Sequence, residues 1–479
     1  MNNSSSSLSV AEVLATEIEP MSAGTRIPSN RELIRRFEVS ATTVSQALSI
    51  LAQRGLITTR PGAGTFRSRE RPEPIHGDTS WQQAALELSA GLSESTDPQR
   101  SFLADGLLST LSLHGPDVID LNGGYLHPNL QPLFSLRSAL SRAARRPDAW
   151  DRVPASGLPE LRTWFAQDIG GGLTRDDVLI SSGGQSALST TMRVLTQPGD
   201  PILLESPTYP GSIAAAQSES LRPVSVPSDR HGMRPDYLED ALTRTRARVI
   251  VVQPLFQNPT GTSLSRDRRD QLRKVAREHE AFIVEDDFAR HMIHSDSPDV
   301  PPPMIADDPD GTVIHIRSLT KVTSPNLRVA ALAAKGPVMS MLRSGQAIDL
   351  MSVAAPLQHM ALEVVTAPAW KRSLIDLAEQ LRQRRETAVG AIYETFGAEA
   401  LTSIPHGGYH LWVELPSMTS SSAFAAGALA RGVAVTAGGN YQPTDRQASH
   451  IRISYVAAPT ADDVASSIRK LDGLSEALE

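Results

Sequence analysis

The chain of 479 residues contains no cysteine. This absence excludes disulfide bonds, thiolate metal sites and thiol nucleophiles. Long apolar runs are also missing, because no stretch reaches the ~18 residues that a membrane-spanning helix needs. The first ten residues are polar and serine-rich, without the basic start and apolar core of a secretion signal. We therefore expect a cytoplasmic protein with no membrane partner, and no residue pattern predicts a metal site.

Lysine is scarce although arginine is abundant. Only Lys321 among the lysines follows an apolar run that reads as a strand, residues 312–316. The side chain that condenses with an aldehyde is a lysine amine, because a guanidinium stays protonated in proteins. Hydroxyl side chains and Arg328 follow Lys321 closely, which suits a phosphate group. The five lysines are Lys274, Lys321, Lys335, Lys371 and Lys470.

Acidic charge exceeds basic charge overall, with a formal net charge of −7, but the excess is unevenly distributed. Residues 21–71 carry nine arginines against three glutamates, so that segment is basic and the remainder is strongly acidic. Such asymmetry is typical of a small nucleic-acid-binding domain attached to a larger acidic one.

The first seventy residues read as helix, helix, short turn, helix and hairpin. Residues 8–21 predict a first helix, with Leu8, Val13, Ile18 and Met21 as candidate core positions. Ser29 is a good N-cap for a second helix at residues 30–37, where Leu33 and Phe37 share a face.

A third helix is predicted at residues 41–54, because Val44, Leu48 and Leu51 recur at helical spacing before Gly55. Strands at residues 56–59 and from Thr65 would then form a hairpin around a proline–glycine turn. The order predicts a winged helix-turn-helix domain.

The amino-acid sequence of three segments, residues 27–33, 39–44 and 62–65, resembles that of the GntR family of bacterial DNA-binding domains. That resemblance implies that helix 41–54 enters the major groove. It also implies a set of DNA-contacting residues. They are Ser40, Thr42, Thr43 and Ser45 at the recognition helix, Arg31 at the backbone, and Arg60 and Gly62 in the wing. The chain departs from the family at Ala41 and Ser45, where arginines are common, so fewer bidentate guanine contacts are available.

Residues 72–115 read as a linker with helical stretches at 81–92 and 102–113, the second packing on the large domain. From residue 116 onward, apolar strands alternate with amphipathic helices, the pattern of an α/β domain with a mainly parallel sheet. We therefore predict three parts: a winged helix-turn-helix at 1–71, the linker, and an α/β domain at 116–479 whose small C-terminal subdomain starts near 375. The predicted strands are 178–181, 201–204, 249–252, 282–284 and 313–316.

Each predicted strand is followed by residues suited to site chemistry, as expected at the carboxyl ends of a parallel sheet. The glycine turn 182–187 opens a helix, and free backbone N–H groups at a helix N-terminus attract anions. Six segments occur in an order that resembles fold-type I aminotransferases, namely 182–187, 205–211, 257–261, 285–288, 318–328 and 450–455.

That resemblance implies pyridoxal 5'-phosphate (PLP) as cofactor, bound as a Schiff base to Lys321. The phosphate would be held by Gly184, Gln185, Ser186, Ser318 and Arg328. Tyr209 would stack on the pyridine ring, Asn258 would donate to the phenolate oxygen, and Asp286 would keep the ring nitrogen protonated, making the ring an electron sink. Arg452 would clamp an α-carboxylate. Phe288 stands where the family usually has a tyrosine that contacts the phenolate oxygen.

Together the two halves resemble the MocR subfamily of GntR regulators. The resemblance implies a head-to-tail homodimer that binds operator DNA with repeated half-sites. An amino acid or related amine would displace Lys321 by forming an external aldimine and so control genes of amino-acid, amine or vitamin B6 metabolism. Two alternatives remain: an active aminotransferase with an appended DNA-binding domain, and a protein for which PLP itself is the signal.

Overall fold

The computed structural model describes residues 3–60, 62–68, 100–102, 104–416, 419–443 and 449–478. The chain divides into two compact units, Met1–Glu94 and Ser95–Glu479. The domain boundaries expected near residues 71, 115 and 375 stay predictions. The helix expected at 81–92 lies outside the described residues.

The N-terminal unit is a three-helix domain with a two-stranded wing. Ser29 caps the second helix in a capping box with Glu32, and Ser40 caps the third. The antiparallel wing pairs Ile57 with Arg67 and Arg60 with Gly64. The elements are α1 (Asn3–Ile18), α2 (Asn30–Phe37), α3 (Ala41–Gln53), β1 (Ile57–Arg60) and β2 (Gly64–Arg67).

The core of this unit confirms the predicted faces of α2 and α3 but corrects that of α1. Leu33 is buried in α2, and Val44, Leu48 and Leu51 are buried in α3. In α1, Leu8 and Val13 were expected in the core, yet both are exposed. The residues of α1 that pack against the domain are Val10, Ala11, Leu14 and Ile18. The prediction missed this stripe because it omitted alanine from the apolar face.

The C-terminal unit is built on an eight-stranded sheet. Its strands run in the order β4-β11-β10-β9-β8-β5-β6-β7. All neighbours are parallel except at β11 and β7, which lie antiparallel to theirs. The strands of this sheet are β4 (Val178–Ser181), β5 (Pro201–Ser206), β6 (Arg222–Asp229), β7 (Gly232–Met233), β8 (Val249–Val252), β9 (Phe282–Asp286), β10 (Val313–Ser318) and β11 (Ala330–Ala334). The short strand β3 (Ile119–Asp120) precedes them in the chain and lies outside this sheet.

Helices cover both faces of the sheet, as an α/β fold requires. Side chains alternate between faces along each strand, so Ile283 and Val313 face one core while Val284 and Ile314 face the other. The helices are α4 (Asp105–Ser109), α5 (Leu133–Ala143), α6 (Pro159–Ile169), α7 (Gly184–Leu195), α8 (Pro210–Ser218), α9 (Pro235–Thr245), α10 (Arg266–Glu278), α11 (Val338–Leu350), α12 (Ala355–Thr366), α13 (Ala369–Phe396), α14 (Ser421–Ala430) and α15 (Ala461–Arg469).

A smaller antiparallel sheet follows the long helix α13. Its strands are β12 (His410–Glu414), β14 (Thr436–Ala437) and β15 (His450–Ser454), in the order β12-β15-β14. Arg452 pairs with Trp412 on one side and Thr436 on the other, which makes β15 the central strand. The intervening β13 (Val433–Ala434) pairs in parallel with β3.

The five predicted strands are all present, three of them longer than expected because they continue into the site residues. The helix expected at 102–113 is reduced to α4, and Leu113 beyond it is 98% exposed. Two hydrogen bonds join α4 to the rest of the unit: the Asn440 side chain donates to Ser109 Oγ, and Asn122 donates to the Ser109 carbonyl. No helix in the described parts of the chain combines the length and apolar character needed to cross a bilayer.

Candidate PLP site and DNA-binding surface

Lys321 lies just beyond β10, at the edge of the sheet where the parallel strands end. Its Nζ donates to the Gly124 carbonyl at 2.9 Å and lies 3.9 Å from the centroid of the Tyr125 ring. Burial, followed by the nearby Arg452 guanidinium, lowers the pKa of Lys321 to about 7. A large fraction of this amine is therefore neutral at neutral pH, as a nucleophile requires.

The turn before α7 forms an anion cradle beside Lys321. The first helical bond is donated by the Ala187 N–H to the Gly183 carbonyl, so the N–H groups of residues 184–186 precede the bonded turns. Arg328 donates from Nη2 to the Ser182 carbonyl at 3.1 Å, which holds its guanidinium against the same turn. A Cβ on Gly183 would lie 2.6 Å from that nitrogen, so the close approach requires glycine.

Asp286 ends β9 and lines the same cavity as Lys321. Burial raises the pKa of Asp286 to about 6, and a hydrogen bond from Gln253 Nε2 to Oδ2 at 2.7 Å opposes that rise. Phe288 also lines the cavity and is buried, with its ring centroid 6.1 Å from that of Tyr409. It offers no hydrogen-bonding atom to this wall.

Asn258 lines the cavity, and Arg452 contacts Asn258 from behind without lining the cavity itself. Arg452 is buried on β15, and its Nη1 donates to Asn258 Oδ1 at 3.2 Å. Its Nη2 donates to the Asn122 carbonyl and to Thr436 Oγ1. The Arg452 Nε has no partner, and the guanidinium pairs with no carboxylate within the described ranges. A buried cation without an anion is suited to a bound carboxylate.

The structure brings all the predicted cofactor residues except Ser186 into the lining of one cavity. Ser186 lines the neighbouring surface, together with Gln185 and Arg328. Tyr209 faces the cavity from the turn before α8. The sequence analysis missed five lining residues. They are Tyr125, Leu188, Gln253, Thr320 and Tyr409.

Leu188, Gln253 and Thr320 adjoin predicted segments, but no residue-type or spacing rule singles them out. The clearest signal was for Tyr409, which stands in the glycine-rich segment 405–413. The glycine pair before Tyr125 was a weaker one: a Cβ on Gly124 would lie 3.3 Å from Lys321 Nζ, so the backbone passes very close to the amine.

In the N-terminal unit, the exposed face of α3 carries only uncharged side chains in its first two turns. Thr42 and Ser45 are exposed as predicted for DNA contact, and so is Gln46, which the sequence analysis did not select. Thr43 is a correction: it is 5% exposed, and its hydroxyl lies 2.8 Å from Ser40 Oγ. Burial assigns the Thr43 hydroxyl to the helix cap rather than to a base edge.

The remaining predicted DNA contacts lie on exposed parts of the unit. Arg31 is exposed on α2, and Ser40 is exposed although its hydroxyl accepts the Thr43 N–H at 3.1 Å. At the wing, the Arg60 guanidinium stacks over Phe66 at 5.1 Å. Gly62 has a φ of 75°, which fits its place in the tight turn between β1 and β2.

Fold and site together define an aminotransferase-like unit joined to a winged helix-turn-helix. Residues 116–471 match the family described as aminotransferase class I and II, and residues 8–66 match the bacterial regulatory proteins of the gntR family. The chain therefore belongs to the class I and II aminotransferase family and is, through its gntR-type domain, a transcriptional regulator of the MocR type.

Relatives of both kinds are found. The HTH-type transcriptional regulator YdfD of Bacillus subtilis (strain 168) is 28% identical over 92% of this chain and 89% of its own length. The 2-aminoadipate transaminase of Thermus thermophilus is 29% identical over 74% of this chain and 89% of its own length. The crystal structure of LysN, an α-aminoadipate aminotransferase from Thermus thermophilus complexed with N-(5'-phosphopyridoxyl)-L-leucine, superposes with a TM-score of 0.73. That match has 26% identity and covers 83% of this chain and 99% of LysN.

The family implies PLP as the cofactor, and the cavity fits it. The cradle before α7 can take a phosphate, Lys321 an aldehyde, and Asp286 a protonated ring nitrogen. Two polar atoms at the cavity, Gln185 Oε1 and Thr320 Oγ1, are buried without a partner among the described residues. Such atoms are expected where a polar ligand completes a site.

Proposed function

We propose that this regulator holds PLP on Lys321 and responds to an amino acid or related amine that enters the cavity. The observation that carries the proposal is the buried amine of Lys321, which shares its cavity with an anion cradle and the Asp286 carboxylate. Burial and the Arg452 guanidinium lower the pKa of this amine to about 7. PLP supplies an aldehyde carbon on which one amine can replace another. A reversible exchange of that kind suits the detection of amines.

The expected effector carries a carboxylate. Arg452 is buried, lacks an anionic partner within the described residues, and touches Asn258 in the wall of the cavity. Once Arg328 binds a phosphate and Asp286 binds a ring nitrogen, Arg452 remains as the cation that can bind an α-carboxylate. An α-amino acid therefore fits the charges better than a simple amine does.

The DNA-binding part of the proposal is a homodimer, arranged head-to-tail, on an operator with repeated half-sites. Exposed arginines such as Arg31 and Arg60 would contact phosphates, and α3 would enter the major groove. Effector exchange would alter the spacing of the two winged domains and hence the affinity for the operator. The genes controlled would serve amino-acid, amine or vitamin B6 metabolism.

The test uses full-length protein and double-stranded DNA selected from a random pool by that protein. We expect a visible absorption band with PLP, which borohydride abolishes, and a change in DNA affinity when one amino acid from a panel shifts the band. Lys321→Ala should remove both the band and the DNA response. The exposed Lys371 provides the control: Lys371→Ala should keep both. An undiminished response in Lys321→Ala would refute the proposal.

Active transamination is the second candidate function, because the cofactor-contacting set is complete apart from the hydroxyl missing at Phe288. The test is to incubate the holoprotein with amino acids and 2-oxo acids and to quantify products over many turnovers. Steady-state product formation would establish the enzyme. If PLP alone changes DNA affinity and no amino acid adds to that change, the cofactor itself is the signal.

A further inference from the structure

Gln253, which directly follows β8, is held at both ends of its amide. Its Nε2 donates to Asp286 Oδ2 at 2.7 Å, and its Oε1 accepts the backbone N–H of Asn258 at 2.9 Å. The side chain is 3% exposed. Because a backbone N–H can only donate, the carbonyl end of the amide must face Asn258 and the NH₂ end must face Asp286. The amide orientation is therefore fixed.

A second carboxyl lies on the other side of Gln253. The backbone N–H of Gln253 donates to Glu205 Oε2 at 2.9 Å. Burial raises the pKa of Glu205 to about 8, whereas the pKa of Asp286 is raised only to about 6. At neutral pH, Glu205 is thus mainly protonated and Asp286 mainly ionised. The amide donor of Gln253 points to the carboxyl that keeps its charge.

We propose that Gln253 is a positioning residue that holds Asp286 ionised and in place. The same side chain also fixes Asn258, so that Asp286 and Asn258 can each contact the PLP ring. The inference rests on the proposed binding of PLP. Gln253 occupies one oxygen of Asp286 and leaves the other for a second donor, which is the ring nitrogen in the proposed complex. The same amide ties the loop that carries Asn258 to the end of β9.

The competing explanation is that Gln253 merely holds a buried loop together. The chain offers a matched control for that explanation, because Gln257 is an equally buried amide of the same loop. Gln257 donates to the Pro207 carbonyl, accepts from Thr260 and also hydrogen-bonds the Glu205 carboxyl, but it has no hydrogen bond to Asp286. A purely structural role predicts similar consequences for Gln253→Leu and Gln257→Leu.

The experiment compares full-length wild type, Gln253→Leu and Gln257→Leu. Equilibrium dialysis gives the dissociation constant for PLP, and absorbance gives the apparent pKa of the visible band of the lysine-bound cofactor. We expect Gln253→Leu to weaken PLP binding roughly 10- to 100-fold, as for loss of a hydrogen bond to a buried charge. The apparent pKa of the band should rise, because a ring nitrogen with a neutral Asp286 is less protonated and withdraws fewer electrons. Gln257→Leu should leave that apparent pKa unchanged.

Gln253→Glu preserves the shape and decides the matter if Gln253→Leu does not fold. Two adjacent carboxyls share a proton, so Asp286 is partly neutral in this variant, and PLP binding should be weakest at low pH and recover as rising pH ionises both carboxyls. Binding within about twofold of wild type and an unchanged band in Gln253→Leu, or pH-independent loss in Gln253→Glu, would overturn the inference. Failure of wild type to form the band would refute PLP binding itself, a result distinguishable from either outcome.

Discussion

The rate at which the cofactor-free protein captures PLP should depend on pH with a midpoint near 7. An ordinary lysine has a pKa of about 10.4, so at pH 7 only roughly 1 in 2,500 molecules carries a neutral amine. Lys321, with its pKa lowered to about 7, is neutral in about half of them. Only the neutral amine has the lone pair that attacks an aldehyde. The rate should therefore rise with pH, about tenfold between pH 6 and pH 8, and then level off.

Two variants separate the electrostatic causes of this shift. Burial is the largest cause and is common to all forms of the protein, and the positive charge of Arg452 comes next. Arg452→Leu removes that cation, so the pKa of Lys321 and the midpoint should rise. Asp286→Asn removes an anion that favours the charged amine, so the midpoint should fall. The two variants must move the midpoint in opposite directions.

The assay is stopped-flow absorbance after mixing cofactor-free full-length protein with excess PLP over a range of pH. Lys321→Ala, which retains the other four lysines, supplies the background and should show no saturable phase. A wild-type midpoint near that of an ordinary lysine would refute the reasoning. So would a shift of both charge variants in the same direction.

Three further predictions follow from close contacts and exposed side chains. Gly183→Ala should weaken PLP binding at least about tenfold in dialysis, because the new Cβ displaces Arg328; unchanged binding would show that the cradle is not used. Phe288→Tyr should lower the apparent pKa of the lysine-bound cofactor, since a hydroxyl donor stabilises the phenolate charge; a spectrophotometric titration with no change or a rise contradicts this. Gln46→Ala should relax the preference for adenine at one operator position by about 1–3 kcal/mol in competition binding. Ser49→Ala, which shortens another exposed side chain of the same helix, should not.

Much of the larger unit was predictable because its strands are buried on both faces. Residues 178–180 and 249–252 are continuous apolar runs, and the structure has strands at 178–181 and 249–252. Several site residues followed from the strands, because Asp286 and Ser318 end their strands and Lys321 stands just beyond one. Gln253 also directly follows a strand. Its role depends on contacts with Asp286 and Asn258, which lie 33 and 5 positions away in the chain, and no spacing rule predicts those contacts.

The misassignments in the smaller unit have local causes. In α1, Ala11 is fully buried. A pattern built only from larger apolar residues therefore assigns the wrong face of the helix to the core. For Thr43, a hydroxyl at the third position of a helix is equally consistent with capping and with DNA contact. Only its burial distinguishes the two, and burial depends on how α2 and α3 pack.

We expect affinity and specificity for DNA to be divided between different side chains in this regulator. The exposed face of α3 carries hydroxyls and an amide but no guanidinium in its first two turns. Guanine is best read by a bidentate arginine, whereas an amide suits adenine. The arginines lie elsewhere, on α2 and in the wing, where contacts to phosphates add affinity without reading sequence. Binding should then fall steeply with salt, while the preference among sequences rests on a few neutral side chains. A regulator with weak base readout gains most of its selectivity from engaging two half-sites at once. An effector that alters the spacing of the two winged domains would therefore act on the largest contribution to selectivity.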